Sequence, residues 1–112
     1  YAAELLEELR ERTPGIQILC AGKLPSGTAE KLSLRDALAP AERRGRGNAY
    51  ARGGWWLHDR ILTDTTLTVI RADVFARRDL LDPRSGTPLP TYRRQRYTGG
   101  IGRYFPIFLY IK

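Results

Sequence analysis

The sequence predicts an α+β fold in which an N-terminal amphipathic helix packs on an antiparallel sheet of about four or five strands. Leucines recur at helical spacing near the amino terminus, and runs rich in β-branched and aromatic residues follow from residue 55 onward. A helix and a sheet of this kind bury their apolar faces against each other. We expect the strands to come from residues 16–20, from a hairpin over 55–75 and from the C-terminal segment.

The helix is the first predicted element. Leu5, Leu6 and Leu9 share one face between charged residues, and Pro14-Gly15 ends the pattern. Residues 16–20 then form a short apolar run, which is typical of a buried strand. Helix and strand together are expected to open the fold.

The clearest strand signal is an antiparallel hairpin. The runs 55–62 and 67–75 are rich in β-branched and aromatic residues, and the segment between them suits a turn. If the residues next to the turn pair, side chains alternate between the two faces of the hairpin. Asp59 then lies on the core face and needs a hydrogen-bonding or charged partner. The apolar members of that face are Trp55, Leu57 and Ile61 on the first strand and Ile70, Ala72 and Val74 on the second.

The remaining segments are less regular. Residues 43–54 are rich in glycine and arginine, residues 76–92 are rich in proline and arginine, and both are expected to form surface loops. A short helix closed by Pro40 is expected within residues 28–42. A second hairpin is expected to pair residues 96–98 with 104–111.

Composition limits the class of protein. A length of 112 residues with 42% hydrophobic content fits one small basic domain over residues 1–112. We expect a fragment or a processed product, since the chain begins with Tyr1 and contains no Met. One cysteine and one histidine provide neither a disulfide nor a dedicated metal site, so we expect no metal and no cofactor. No membrane span or signal peptide is recognisable, and we expect a cytoplasmic protein that does not bind membranes.

Charge divides the chain into two parts. Residues 1–42 carry five Lys or Arg and seven Asp or Glu, whereas residues 43–112 carry fourteen and five. The second part therefore sets up a positive potential that attracts polyanions. Most of its basic residues are Arg, whose guanidinium binds phosphate or carboxylate bidentately and stacks on aromatic rings.

The favoured function is binding of nucleic-acid backbone, or of another polyanion, through an arginine-rich C-terminal surface. Basic segments alternate with aromatic residues, so phosphate contacts lie beside rings on which bases can stack. No known RNA-binding or DNA-binding motif is present, and RNA and DNA remain equal candidates. An acidic protein surface is the alternative partner, with the chain as a structural or interaction subunit of open oligomeric state. The expected contact residues are Arg43, Arg44, Arg46, Arg52, Arg93, Arg94, Arg96 and Arg103, with Tyr97 and Trp56 as stacking candidates.

A small enzyme is the other alternative. On the second face of the predicted hairpin, His58 lies opposite Arg71, and Asp73 is its diagonal neighbour. A histidine beside a carboxylate can act as a general base, while Arg60 and Arg71 hold an anionic substrate. The same four residues also fit a solvated face with cross-strand ion pairs. Whether the protein is an enzyme stays open at this point.

Three segments resemble the chorismate pyruvate-lyase group in order and residue type. They are WLHDRIL, RADVF and GIGRYF, within a resemblance that covers about half of the chain. The resemblance implies an antiparallel sheet that encloses a small dicarboxylate. It also implies that Arg60 or Arg71 holds the anion.

Overall fold

The computed structural model describes residues 2–89, 92–97, 100 and 104–112, with backbone alone for Tyr92 and Arg93. Within these ranges the helices are α1 (Ala2–Arg12), α2 (Thr28–Leu32) and α3 (Ala39–Arg43), with a 3-10 helix at Arg78–Leu80. The strands are β1 (Leu19–Gly22), β2 (Arg35–Asp36), β3 (Ala49–Ala51), β4 (Gly54–Trp56), β5 (Arg60–Thr63), β6 (Val69–Val74), β7 (Tyr92–Arg93), β8 (Arg96–Tyr97) and β9 (Ile107–Ile111). None of these helices is both long enough and apolar enough to cross a bilayer.

The α+β class and the N-terminal helix are confirmed. The strands are antiparallel, but they are divided among small sheets instead of forming a single one. Strand β5 lies between β1 and β2 in a three-stranded sheet, and three two-stranded sheets pair β3 with β4, β6 with β9 and β7 with β8. Helix α1 packs over the three-stranded sheet through Leu6, which shares a core with Ile18 and Leu62.

Strand β5 separates two hydrophobic cores. All four of its residues are buried, and neighbouring side chains point to opposite faces of the sheet. Ile61 packs with Leu38, Leu57 and Phe105 in the first core. Leu62 belongs to the second core beneath α1. The sequence prediction that Leu57 and Ile61 share a core face is therefore confirmed. Ile70, predicted on the same face, is instead 64% exposed, because β6 pairs with β9 and not with β5.

The hairpin predicted over residues 55–75 is wrong, because β5 and β6 do not pair. Both edges of β5 are already occupied, by β1 and by β2. Asp64 ends β5, with its N–H donating to Ile18 O (2.8 Å) and its carboxylate accepting from the Thr66 N–H (3.2 Å). The resulting turn directs β6 to β9, where Val74 pairs with Ile107.

The acidic group in this turn is held in its charged form. Hydrogen bonding to the Thr66 backbone N–H lowers the pKa of the Asp64 carboxyl, and the Thr66 hydroxyl and Arg10 act in the same direction against burial. A charged Asp64 therefore secures the turn at neutral pH.

Three further predictions need correction. Residues 28–42 hold two short helices and a short strand, and Pro40 lies in the first turn of α3 instead of closing a helix. The segment 43–54, predicted as a loop, contains β3, which starts at a buried Ala49. The C-terminal strands do not form the expected hairpin, because β8 pairs with β7 and β9 with β6. A proline ring without an N–H is well placed at the start of a helix, which accounts for Pro40.

Candidate functional site: an aromatic cleft with unpaired arginines

A cleft of about 430 Å³ opens between residues 23–26 and residues 56–60. Its apolar walls are formed by Leu24, Pro25 and Leu57, and polar groups from both segments complete the lining. Three residues selected from the sequence, Trp56, His58 and Arg60, meet here. The cleft is large enough for a small ring-containing molecule or for one residue of a polymer.

A row of aromatic rings borders the cleft. The His58 imidazole stacks on Tyr104, with ring centroids 4.0 Å apart and planes 14° apart. Trp56 meets the other side of His58 edge-on, at 5.3 Å. The Trp56 residue is 45% exposed and Tyr104 is 39% exposed, so both present ring surface to solvent. Such surface is suited to stacking against a planar ligand.

Asn48 fixes the backbone that carries this row. It is completely buried, and its side-chain amide donates to Asp59 Oδ2 (2.7 Å) and to Phe105 O (3.1 Å). Its side-chain oxygen accepts from the backbone N–H of His58 (2.8 Å). Asn48 is thus the partner that Asp59 was predicted to need, and it joins the 57–59 bend to the segment that precedes β9.

A glycine brings β4 close to the preceding chain. A Cβ on Gly47 would lie only 2.5 Å from the backbone nitrogen of Trp56. Since real Cβ atoms do not approach backbone this closely, only glycine fits at position 47. The Asn48 N–H then donates to Trp56 O (3.1 Å), so the backbone that carries the indole is fixed.

Arginine occupies the tips of two hairpins. The β3–β4 turn places Arg52 at φ 52° and Gly53 at φ 78°, and the β7–β8 turn places Arg94 at φ 51° and Gln95 at φ 68°. Two-residue hairpin turns with positive φ at both positions are of type I′, where Asn-Gly is the favoured pair. Arginine is an uncommon residue in this conformation, and at both tips its side chain is exposed.

Arg60 is not available to hold a ligand anion. Its side chain is 7% exposed, and Nη1 lies 2.7 Å from Asp36 Oδ2 while Nη2 pairs with Glu42. The hydrogen bonds that Arg60 donates to Glu42 raise the pKa of its guanidinium, and Asp36 adds to this effect against the opposing influence of burial. Two carboxylates therefore more than balance its charge at the base of the cleft.

The four catalytic candidates do not converge. His58 belongs to the 57–59 bend and lies beside Asp59, with Nδ1 3.3 Å from Oδ2, and not beside Asp73. Asp73 instead binds Arg46, whose Nε is 2.7 Å from Oδ1. Arg71 lies over the Phe108 ring at 5.4 Å, on the β6–β9 pair. The arrangement expected from the hairpin fails because β6 is paired elsewhere.

The predicted nucleic-acid contacts fall into three groups. Arg44 and Arg46 are paired with Asp73, at 3.8 Å and 2.7 Å. The Arg93 side chain and the whole of Arg103 lie outside the described residues. Of these predicted contacts, the exposed arginines that have no acidic partner in the described chain are Arg43, Arg52, Arg94 and Arg96. Tyr97, the second stacking candidate, is 63% exposed on the hairpin that carries Arg94 and Arg96.

Sequence reasoning missed several residues of the cleft. Lys23 and Glu42 line it, and Asn48 holds the bend. A lone buried asparagine gives no recognisable pattern in a sequence, whereas the GIGRYF segment did draw attention to Tyr104. In the described ranges, no three His, Cys, Asp or Glu residues are grouped to hold a metal ion.

Comparison of the chain with protein-family models, with curated proteins and with solved structures finds no match.

Proposed function

We propose that this protein binds the phosphate backbone of nucleic acid through those of the predicted arginine contacts that are exposed and have no acidic partner in the described chain. These are the unpaired arginines Arg43, Arg52, Arg94 and Arg96. We also propose that the protein acts in the cytoplasm.

One observation carries the proposal: the acids of the basic part of the chain are already engaged by other groups. Each of the five has a hydrogen-bonding or charged partner, namely Asp59 with Asn48, Asp64 with Thr66, Asp73 with Arg46, Asp79 with Arg77 and Asp82 with the Arg84 backbone. None of these acids forms an ion pair with an unpaired arginine in the described chain, and a polyanion would supply the missing partner. Neutralising phosphates releases condensed counterions, which is the main driving force for such binding.

The aromatic groups support the same function. Trp56 and Tyr104 expose ring surface beside the cleft, and Tyr97 does so beside Arg94 and Arg96. Guanidinium groups for phosphates and rings for bases are the two components of strand-binding surfaces. The sequence contains no known motif for base-specific recognition. The proposal is therefore backbone binding without base specificity.

The test measures affinity as a function of salt. A fluorescent single strand of about 15 nucleotides is titrated by anisotropy between about 50 and 200 mM salt. Four phosphate contacts predict a slope of log affinity against log salt near −3, at about 0.7 for each phosphate of a single strand. The double variant Arg94→Glu, Arg96→Glu is expected to lower the magnitude of the slope by about 1.4 and the affinity by more than about tenfold.

A matched control separates a defined surface from bulk charge. The double variant Arg78→Glu, Arg84→Glu makes the same change in net charge at two exposed arginines that also have no acidic partner in the described chain but lie outside the predicted contact residues. It is expected to leave most of the affinity and the slope unchanged. Affinity that does not depend on salt, or equal losses in both double variants, would contradict the proposal.

A further inference from the structure

We infer that the cleft between residues 23–26 and 56–60 receives an unpaired base of the bound strand, so that the partner is single-stranded nucleic acid. This inference rests on the proposed function and adds the form of the nucleic acid to it. It stands on the shape of the cleft, the distribution of charge around it and the rigidity of its aromatic rim.

The cleft matches a base in shape and chemistry. Its volume of about 430 Å³ exceeds what a single planar ring system needs, and Leu24, Pro25 and Leu57 give it apolar walls. Trp56 supplies a ring face at the edge, and Ser26 and Glu42 supply a hydroxyl and a carboxylate. A base combines two apolar faces with a polar edge of donors and acceptors, and stacking tolerates any base because each has such a face.

The positions of the charged side chains favour a nucleobase inside the cleft and phosphates around it. Inside the cleft the guanidinium of Arg60 is already paired with both Asp36 and Glu42, so it is not available to a phosphate there. Around the cleft the cations are unpaired: Lys23 lines it and has no acidic partner in the described chain, and Arg43 directly follows Glu42.

The third cation is on the strand pair that carries the tryptophan. Arg52 forms the tip of the β3–β4 turn, four residues from Trp56, and is exposed. At about 3.3 Å per residue, the Cα atoms of Arg52 and Trp56 lie within about 13 Å of each other. A strand whose base enters the cleft therefore has guanidinium groups available for its neighbouring phosphates.

The rim of the cleft is preorganised for stacking. The Trp56 backbone is fixed against Gly47 and by the hydrogen bond from Asn48, and His58 is stacked on Tyr104. Little conformational freedom is lost when a ligand stacks on a side chain that is already held. In a duplex the base faces are covered by neighbouring pairs and are reached only by extruding a nucleotide, so a duplex cannot use this cleft without that cost.

The experiment compares three labelled probes on the intact chain: a thymidine strand of about 15 nucleotides, an abasic strand of the same length and a duplex of the same length. The abasic strand keeps the phosphates and lacks every base. We expect the thymidine strand to bind about 5- to 150-fold more tightly than the abasic strand, which is the range for stacking of one base. Trp56→Ala is expected to reduce this difference strongly and to leave the abasic affinity unchanged.

Control variants keep the result interpretable. Tyr110 is 58% exposed on β9, away from the cleft lining, and Tyr110→Ala is expected to change none of the three affinities. Trp56→Phe keeps a stacking ring and is expected to retain most of the preference for bases. If Trp56→Ala does not fold, Trp56→Phe still tests the inference through its preference for the thymidine strand over the abasic strand.

The outcomes separate this inference from the proposed function. Equal affinity of the wild-type protein for the thymidine and abasic strands overturns the cleft as a base site while backbone binding stands. A duplex bound more tightly than the thymidine strand also overturns it. Absence of salt-dependent binding to all three probes overturns the proposed function itself.

Discussion

Asn48 combines complete burial with use of both ends of its side-chain amide. Two of its hydrogen bonds reach Asp59 and the backbone of Phe105, and a third comes from the backbone of His58. An isolated polar side chain in this position is costly unless it is satisfied, and here its partners depend on it in return. The bend that carries His58 is thus determined by one residue outside the cleft lining.

We expect Asn48→Ala to lower the free energy of unfolding by about 2–3 kcal/mol, because a buried N–H and a carboxylate lose their partner. Urea denaturation measures this as a lower midpoint at constant slope. Gln17→Ala is the control, since that exposed amide makes only long contacts of 3.3 and 3.4 Å with Thr66. Its effect should stay within about 0.5 kcal/mol. If the two variants lowered the free energy of unfolding by similar amounts, Asn48 would not be the residue that determines the bend.

At the level of elements, the sequence predicted those that depend on local pattern. Leucine spacing and Pro14-Gly15 define α1, and alternation from Leu57 to Ile61 identifies the core face. Pairing depends on distant residues, and here the prediction was wrong: β5 is covered on both edges by segments that precede it in the chain. No local pattern around residues 63–66 distinguishes a hairpin turn from a turn between two separate sheets.

Some residues of the candidate site were predictable from the sequence, but the partners of these residues were not. Trp56, His58 and Arg60 were selected from the hairpin sequence and do line the cleft. Their roles were not predictable, since the partners of Arg60 come from β2 and α3, and Asp73 is held by Arg46. Which arginines remain unpaired is a property of the folded chain, because ion pairing joins residues far apart in sequence.

The hairpin tips provide a test in which stability and binding change in opposite directions. Arg52→Asn creates the Asn-Gly pair that a type I′ turn favours, and it removes a side chain with an uncommon positive φ. We expect the variant to be more stable by about 0.5–1 kcal/mol. We also expect the salt slope of strand binding to fall in magnitude by about 0.7, as one phosphate contact is lost.

Thermal or urea denaturation and the anisotropy titration check the two effects on the same preparation. Arg84→Asn serves as the control, because it removes an exposed arginine at a position without positive φ. It should produce neither the gain in stability nor the change in slope. If Arg52→Asn lost stability, the turn assignment would be wrong; if it bound as the wild type does, Arg52 would not be a phosphate contact.

At the level of the whole molecule, folding distributes the charge of the basic part unevenly. Asp73 is buried and binds Arg46 and Arg44, which removes two of the predicted contact residues from the basic surface. Arg43, only one residue before Arg44, has no such partner in the described chain. A single carboxylate therefore sets how many guanidinium groups are available to a polyanion.

Asp73→Asn is accordingly expected to strengthen binding. The amide oxygen can still accept from the Val74 N–H, as Oδ1 does now at 2.8 Å, but it no longer neutralises Arg44 and Arg46. With two more phosphate contacts, the salt slope should steepen by about 1.4. The cost in stability should be modest, about 1 kcal/mol, because Arg46 is 43% exposed and its ion pair is screened.

Asp79→Asn adds the same net charge at the exposed Arg77 pair and should have a smaller effect. Equal gains in the two variants would mean that net charge alone governs binding, and no gain from Asp73→Asn would mean that Arg44 and Arg46 lie away from the strand.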